Sequence, residues 1–207
     1  SPTAIYVILL HAVPLATVLI SSVMTGGRAN VSFPMTLDNY AQLFSKSVYA
    51  FILVKSLLIA LAVTAITVIL AYPVAYFVSF HVRPERKSLW LFLITIPFWT
   101  SYIIRVSLWF VILGREGLLD QTLMSLGIMS EPLNFASYGI PSIILVLAHA
   151  YAPFAVLPIF VSLEKVDRSL LEAGQDLGES RWITFLRVTL PLSMPGVIAS
   201  SLIVFIP

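Results

Sequence analysis

A chain of 207 residues that is 59% hydrophobic and 11% charged, with a mean hydropathy of +0.98, lies outside the range of soluble domains, which carry about 25% charged residues. The absence of cysteine excludes a disulfide scaffold, a thiolate metal site and a cysteine nucleophile, and His11, His81 and His149 are scattered without ligand-like spacing, so no metal is implied. Twelve basic residues against ten acidic ones give a net charge of +2, and the basic ones are dispersed between apolar blocks, which argues against a nucleic-acid surface and makes them topology markers.

Crossing a hydrocarbon core of about 30 Å takes roughly 20 helical residues, and apolar windows of that length occur five times. The first covers residues 1–27 and has no positively charged leader, so it does not read as a cleaved signal peptide. The second runs from Ser56 to Phe80, with Lys55 before it as an interfacial anchor. The third runs from Ser88 to Leu113 and contains Arg105. The fourth lies within Pro132 to Leu163, whose first residues are expected to form loop, and the fifth begins near Leu190 and stops at Pro207. Backbone polar groups in lipid must be satisfied internally, so these windows predict helices; the short alternating segments of a barrel are absent. The chain opens at Ser1 without a methionine or basic leader and stops inside an apolar run, so 1–207 is expected to be a single transmembrane domain, incomplete at both ends.

Lysine and arginine accumulate in cytoplasmic loops. The loop around 81–87 holds Arg83, Arg86 and Lys87, and the loop around 164–189 holds Lys165, Arg168, Arg181 and Arg187; both are expected inside. The loops around 28–48 and 114–137 are poorer in basic residues and are expected outside. Within the former, Thr36 or Asp38 is cap-like and Tyr40, Leu43 and Phe44 have the spacing of a short amphipathic helix.

The inner segment 164–190 is long and charged yet patterned. Ser169 and Glu172 have capping-box spacing, Asp167 is an alternative N-cap, and Gly178 stands just past a helix C-terminus. A second short helix is expected beyond it, with Trp182, Phe185, Leu186 and Thr189 on one face and Arg181, Thr184 and Arg187 on a more polar one. Such a knob would present Glu172, Asp176 and Glu179 outward, towards another protein.

The stretch Glu172-Ala173-Gly174, then Gly178, Val188 and Leu190-Pro191 at the corresponding spacings, resembles the EAA loop of ABC-importer permeases; five of seven pattern positions agree, with Gly174 in place of alanine and Val188 in place of isoleucine. The run Ile96 to Arg105, Leu37 to Tyr40, Pro153-Phe154, Leu157-Pro158 and Pro195-Gly196 are similar to the spermidine/putrescine subgroup of that family.

The resemblance implies an all-α, polytopic transmembrane helical bundle of the type I ABC importer permease (MetI-like) fold in the bacterial inner membrane. Its implied partners are cytoplasmic ABC ATPase subunits, a second permease subunit, an external solute-binding protein and the lipid bilayer, with no nucleic acid. It implies no enzyme activity and no cofactor in this chain, ATP being bound by the ATPase. Glu172, Ala173, Gly174, Asp176, Gly178, Leu190 and Pro191 are the implied ATPase-coupling residues. Candidates for the translocation pathway are Arg105, whose intramembrane charge marks it, and the aromatic faces of Trp99, Tyr102, Trp109, Tyr151 and Phe154. The bland alternative for Arg105 is that it snorkels outward or pairs with a loop carboxylate. The implied cargo is a small solute of the polyamine kind, with an opine or phosphonate as the alternative. An ATPase-independent channel or an intramembrane enzyme is the competing class, although no paired carboxylates or His cluster support the latter.

Overall fold

The structure, a computed structural model, describes residues 2–25, 32–133 and 139–206. It comprises two compact units, Ser1–Leu57 and Leu58–Pro207. In the first, the apolar helix α1 (Pro2–Ser22) leads into an antiparallel pair, β1 (Met24–Thr25) and β2 (Ser32–Met35), with Met24 opposite Met35. Helix α2 (Asp38–Ser45) follows, its first turn secured where the Thr36 hydroxyl accepts the Asp38 N–H at 3.1 Å. Asn39 donates to the carbonyls of Ser22 and Met24, and the Tyr40 hydroxyl meets Ser22 Oγ at 2.7 Å. The residues that carry the subgroup resemblance here thus knit α2 to the end of α1.

Helix α3 (Ser47–Phe80) runs through the boundary between the units. Its 34 residues make a rod of about 51 Å, well beyond the apolar window, and Lys55 lies inside the helix instead of before it. In the second unit come α4 (Pro84–Thr95), a 3₁₀ turn (Ile96–Trp99), α5 (Tyr102–Leu113), α6 (Leu118–Ser125) and α7 (Ile140–Leu163). After them stand α8 (Arg168–Asp176), α9 (Arg181–Thr184), a π-helical turn (Phe185–Thr189) and α10 (Leu190–Phe205). The loop expected early in the fourth block falls partly on residues 134–138, which lie outside the described residues.

Among the described residues, three rods are long and apolar enough to cross a bilayer: Ser47–Phe80, Ile140–Leu163 and Arg181–Phe205. The first expected span gives only the shorter apolar helix Tyr6–Ser22, and the third is not one of the three rods either. The third is broken, the pair Pro84–Trp99 and Tyr102–Ser125 meeting at 86°. Pro97 supplies no N–H and its ring crowds the preceding turn, and Thr100 and Ser101 then take extended backbone (ψ 146° and 137°). The fifth expected span also differs. It begins at Arg181, not near Leu190, so the second loop helix and the span form one rod of 25 residues.

Small side chains make the core. Thr64, Thr67, Ala71 and Ala75 lie along one face of α3, and Ser193, Gly196 and Ser200 along one face of α10. Buried with the α3 face are Ala155, Val156, Ile159 and Leu163 of α7. Because lipid tails are as apolar as leucine, close van der Waals packing has to hold such helices together. Gly196 shows how close: a Cβ there would lie 2.5 Å from the Pro158 carbonyl oxygen and from Ser162 Oγ.

Candidate functional site

The segment 164–190 is built around a helix stop that only glycine satisfies comfortably. At the C-terminus of α8, the Glu179 N–H donates to the Gly174 carbonyl at 3.0 Å and the Gly178 N–H to that of Gln175 at 2.9 Å, with Gly178 at φ +84°. This is a Schellman motif, whose left-handed residue is strained for side chains with a Cβ. At the other end the N-cap is Asp167, whose carboxylate accepts the Ser169 N–H at 2.9 Å; the Ser169–Glu172 capping box does not form. That hydrogen bond holds the Asp167 carboxyl below its usual pKa.

Glu172, Ala173 and Asp176 stand exposed on α8, whereas Gly174 is buried, because there α8 lies against Thr184. A Cβ on Gly174 would meet Thr184 Cγ2 and Oγ1 at 3.2 Å. Thr184, expected on a polar face, is therefore an interior contact at 3% exposure. Glu179 does not point outward either: its Oε1 accepts from Arg187 Nη1 at 2.7 Å. Two large apolar side chains near this turn stand far out, Leu177 at 85% and Trp182 at 67% exposure.

Leu190 and Pro191 open α10 at its join with the π turn, inside the rod that begins at Arg181. Leu190 donates its N–H to the Phe185 carbonyl five residues back, which closes the π turn. Pro191 comes next and has no N–H to offer the Arg187 carbonyl, so the ladder is already open at the point where the extra residue is accommodated. Phe185, within that turn, packs edge-on against Tyr72 and Tyr76 of α3, with ring centroids 5.7 and 5.9 Å apart.

Around the broken span, Arg105 is buried at 8% exposure. It neither snorkels nor pairs with a carboxylate: Nη2 donates to the Thr100 carbonyl and Nη1 to the Ala150 carbonyl, each at 3.2 Å. Thr100 Oγ1 donates to the Pro97 carbonyl at 2.7 Å. Carbonyls freed by the break are thus satisfied locally, where lipid could not satisfy them. The Arg105 Nε is buried without a hydrogen-bond partner among the described residues.

Trp109 donates from Nε1 to His149 Nδ1 at 3.3 Å, so a histidine without ligand-like spacing becomes a ring neighbour of the α5 face. Phe154 stacks edge-on with Phe98 at 5.0 Å and lies 6.4 Å from Tyr151. Trp99, at 79% exposure, makes no ring contact among the described residues. Tyr102 lines, with Trp109 and Val146, an apolar cleft of about 330 Å³ between α5 and α7. Of the pathway candidates, Tyr102 and Trp109 thus share one cleft, Tyr151 and Phe154 belong to a ring cluster with Phe98, Trp99 joins neither, and Arg105 sits at the break.

Sequence reading passed over Glu164. Its Oε1 accepts from Lys87 Nζ and from Ser79 Oγ, each at 2.6 Å, and Arg168 Nη2 donates to the Ser79 carbonyl at 3.2 Å. Partners so far apart along the chain leave no local spacing to read. The contact also brings the loops 81–87 and 164–189 to one end of the unit. Burial on its own would push the Glu164 pKa up; the hydrogen bonds from Lys87 and Ser79 and the charges of Lys87 and Arg168 outweigh it and hold the carboxyl low.

Residues 71–207 match the family described as binding-protein-dependent transport system inner membrane component. Relatives include the spermidine/putrescine transport system permease protein PotB of Haemophilus influenzae, 38% identical over 94% of this chain and 68% of that protein. PotB of Escherichia coli is 38% identical over 86% and 63%, and the inner membrane ABC transporter permease protein YdcU of E. coli 33% identical over 85% and 59%. The chain thus spans about three-fifths to two-thirds of the length of these relatives. In fold it is similar to a bacterial ABC transporter importing the acidic polysaccharide alginate, with a TM-score of 0.70 at 16% identity over 98% of this chain and 69% of that one. A bacterial alginate ABC transporter in complex with alginate pentasaccharide-bound periplasmic protein gives 0.69 at 17% identity, over 95% and 66%. The chain belongs to the binding-protein-dependent transport system inner membrane components, a family of multi-pass transport permeases and not of enzymes.

Proposed function

We propose that this chain is a permease subunit of an ABC importer, which forms part of the path for a small solute and is driven through α8 by a cytoplasmic ATPase. The observation that carries this reading is the form of the EAA stretch. It folds as a helix stopped by Gly178, with Glu172 and Asp176 exposed and Leu177 projecting at the tip, an apolar and acidic knob that none of the described residues covers. A partner cleft with a basic residue opposite Glu172 would bury Leu177 and fix the register. ATP-driven closure would then rock the permease pair between inward- and outward-open states around a site near the bilayer midplane. ATP would be bound by that partner, and an external binding protein would deliver the solute.

A polyamine is the cargo favoured by the PotB relatives, with Trp99, Tyr102, Trp109, Tyr151 and Phe154 as faces for ammonium groups and Arg105 beside the break. A solute bearing an anionic group, such as an opine or phosphonate, is the second reading. What favours it is the buried Arg105 cation with its free Nε–H and no carboxylate partner among the described residues. Competition of labelled spermidine uptake by unlabelled polyamines and by such anions separates the two.

The test of the main reading is uptake, ATPase co-purification and stimulated hydrolysis for Gly178→Val and Glu172→Lys in the assembled transporter. Both variants insert, since neither touches a span, and both lose uptake through weakened docking or uncoupled hydrolysis. Wild-type values of all three in both variants would leave α8 without the role of coupling element. A channel or intramembrane enzyme would also retain no ATPase in a pull-down.

A further inference from the structure

Four charged or polar groups meet where four helices end, at a place that the EAA pattern does not include. Ser79 is in the last turn of α3, Lys87 in the first turn of α4, Glu164 follows α7, and Arg168 opens α8. One oxygen, Glu164 Oε1, takes both the Ser79 hydroxyl and the Lys87 ammonium at 2.6 Å. Arg168 closes the ring by donating to the Ser79 carbonyl, with its guanidinium 6.0 Å from the Phe80 ring centroid.

The connection between α7 and α8 is short and stiff. Glu164, Lys165 and Val166 donate their N–H groups to Phe160, Ser162 and Leu163, and the Val166 side chain is buried. A push on α8 therefore reaches α7 directly through the chain. It reaches α3 and α4 through side chains: Arg168 holds the Ser79 carbonyl, and Glu164 alone ties Ser79 to Lys87 and so joins α4 to the group. Lys87 depends on the same carboxylate: its side chain is 13% exposed and lies 6.0 Å from the Phe160 ring, so without Glu164 it would be a poorly hydrated cation in the same ring of groups as Arg168.

We propose that Glu164 is a positioning residue for transport, a clamp through which displacement of α8 moves the inner ends of α3 and α4 together with α7. This rests on the importer reading and adds to it: α8 receives the push, and Glu164 distributes it. A subunit lacking the clamp still docks the ATPase and lets it turn over, but less of the stroke reaches the spans.

The experiment uses the complete transporter reconstituted with its ATPase and binding protein, and reads solute transported per ATP hydrolysed together with ATPase co-purification. Glu164→Gln and Lys87→Met should keep the ATPase bound and lower the transport ratio by about fivefold or more, the lower range of coupling between sites. Lys87→Arg, which keeps the cation, should restore most of it. Ser79→Ala, which removes one hydrogen bond and no charge, should fold normally and lower the ratio by a smaller factor in the same direction. An unchanged ratio in Glu164→Gln, Lys87→Met and Ser79→Ala would overturn the clamp. So would a ratio that Lys87→Arg lowers as much as Lys87→Met does, or loss of ATPase binding in Glu164→Gln equal to that in Glu172→Lys. Failure of the wild-type chain to retain any ATPase would instead overturn the importer reading, so the two failures are distinct.

Discussion

Gly174 and Gly196 are both buried helical glycines, yet a methyl group would meet different neighbours at each. At Gly196 it would lie 2.5 Å from the Pro158 carbonyl oxygen, a backbone atom that cannot rotate away. Gly196→Ala should therefore force α10 off α7 and cost about 1–3 kcal/mol, seen as a lower midpoint of thermal unfolding in detergent. At Gly174 the methyl would meet the tip of Thr184 at 3.2 Å, a contact that a shift of a few tenths of an ångström relieves, while alanine gains about 1 kcal/mol of helix propensity over glycine. Gly174→Ala should leave that midpoint nearly unchanged; a drop as large as that of Gly196→Ala would mean that the α8–α9 contact is as tight as the span packing. Arg105 sets a third case. Its guanidinium is bonded to two carbonyls, one of them at the break, so Arg105→Met leaves Thr100 and Ala150 short of a donor in an apolar surrounding. Arg105→Met should lower expression and uptake more than Lys55→Ala, since Lys55 is exposed on α3. Equal, near-wild-type values for both would remove Arg105 from the candidate site.

At the scale of elements, proline has different outcomes in different contexts. Pro73, Pro153, Pro158 and Pro195 lie inside continuous helices, whereas Pro97 precedes a break and Pro191 follows a π turn. Composition therefore made the apolar blocks legible but not which proline would interrupt one. What distinguishes Pro97 is the extended Thr100–Ser101 pair beyond it and an arginine one turn further on that reaches back, a non-local arrangement absent from hydropathy. The α8 helix with its glycine stop was legible because capping is local chemistry. The continuity of α9 with α10 was not, because a π turn leaves no mark on apolar periodicity beyond a shift by one residue. If the missing N–H of Pro191 holds that turn open, Pro191→Ala gives the Arg187 carbonyl its donor and lets the turn relax to α-helix. Losing one residue from the turn would rotate α9 by about 100° relative to α10. Spin labels at 171 and 182 should then report a changed distance, and uptake should fall while membrane insertion is unaffected. An unchanged distance would show that the ring contacts of Phe185, and not the proline, set the turn.

Across the whole molecule, the two basic loops that charge alone assigned to one side of the membrane are in contact, through Lys87 and Glu164. Cysteines at Arg86 and Gln175 should accordingly label together from the cytoplasm, and those at Asn39 and Glu116 from outside; labelling of Gln175 from outside intact cells would reverse the topology. The same contact gives stability a pH dependence whose sign follows from the groups around Glu164: Lys87 from α4, Arg168 from α8 and the Ser79 hydroxyl from α3 all favour its ionised form. Its folded pKa lies below the ordinary 4.5, so the folded state binds this proton less readily than the unfolded chain does. The stabilisation is complete above that ordinary value and is lost as the pH falls through the depressed one. Exposed Asp167 titrates in the same direction through its N-cap bond to Ser169, so an acid slope alone does not identify Glu164. The difference between wild type and Glu164→Gln does, because the amide retains a hydrogen-bond acceptor and has no charge to lose. In detergent, the unfolding midpoint of the wild type should be flat from neutral pH down to about 5 and then fall, while Glu164→Gln starts lower and falls less steeply. Parallel curves for the two proteins would mean that the Lys87–Glu164 pair contributes nothing to the native state, as many solvent-screened pairs do, and that the inner ends of α3, α4 and α7 are held by apolar packing alone.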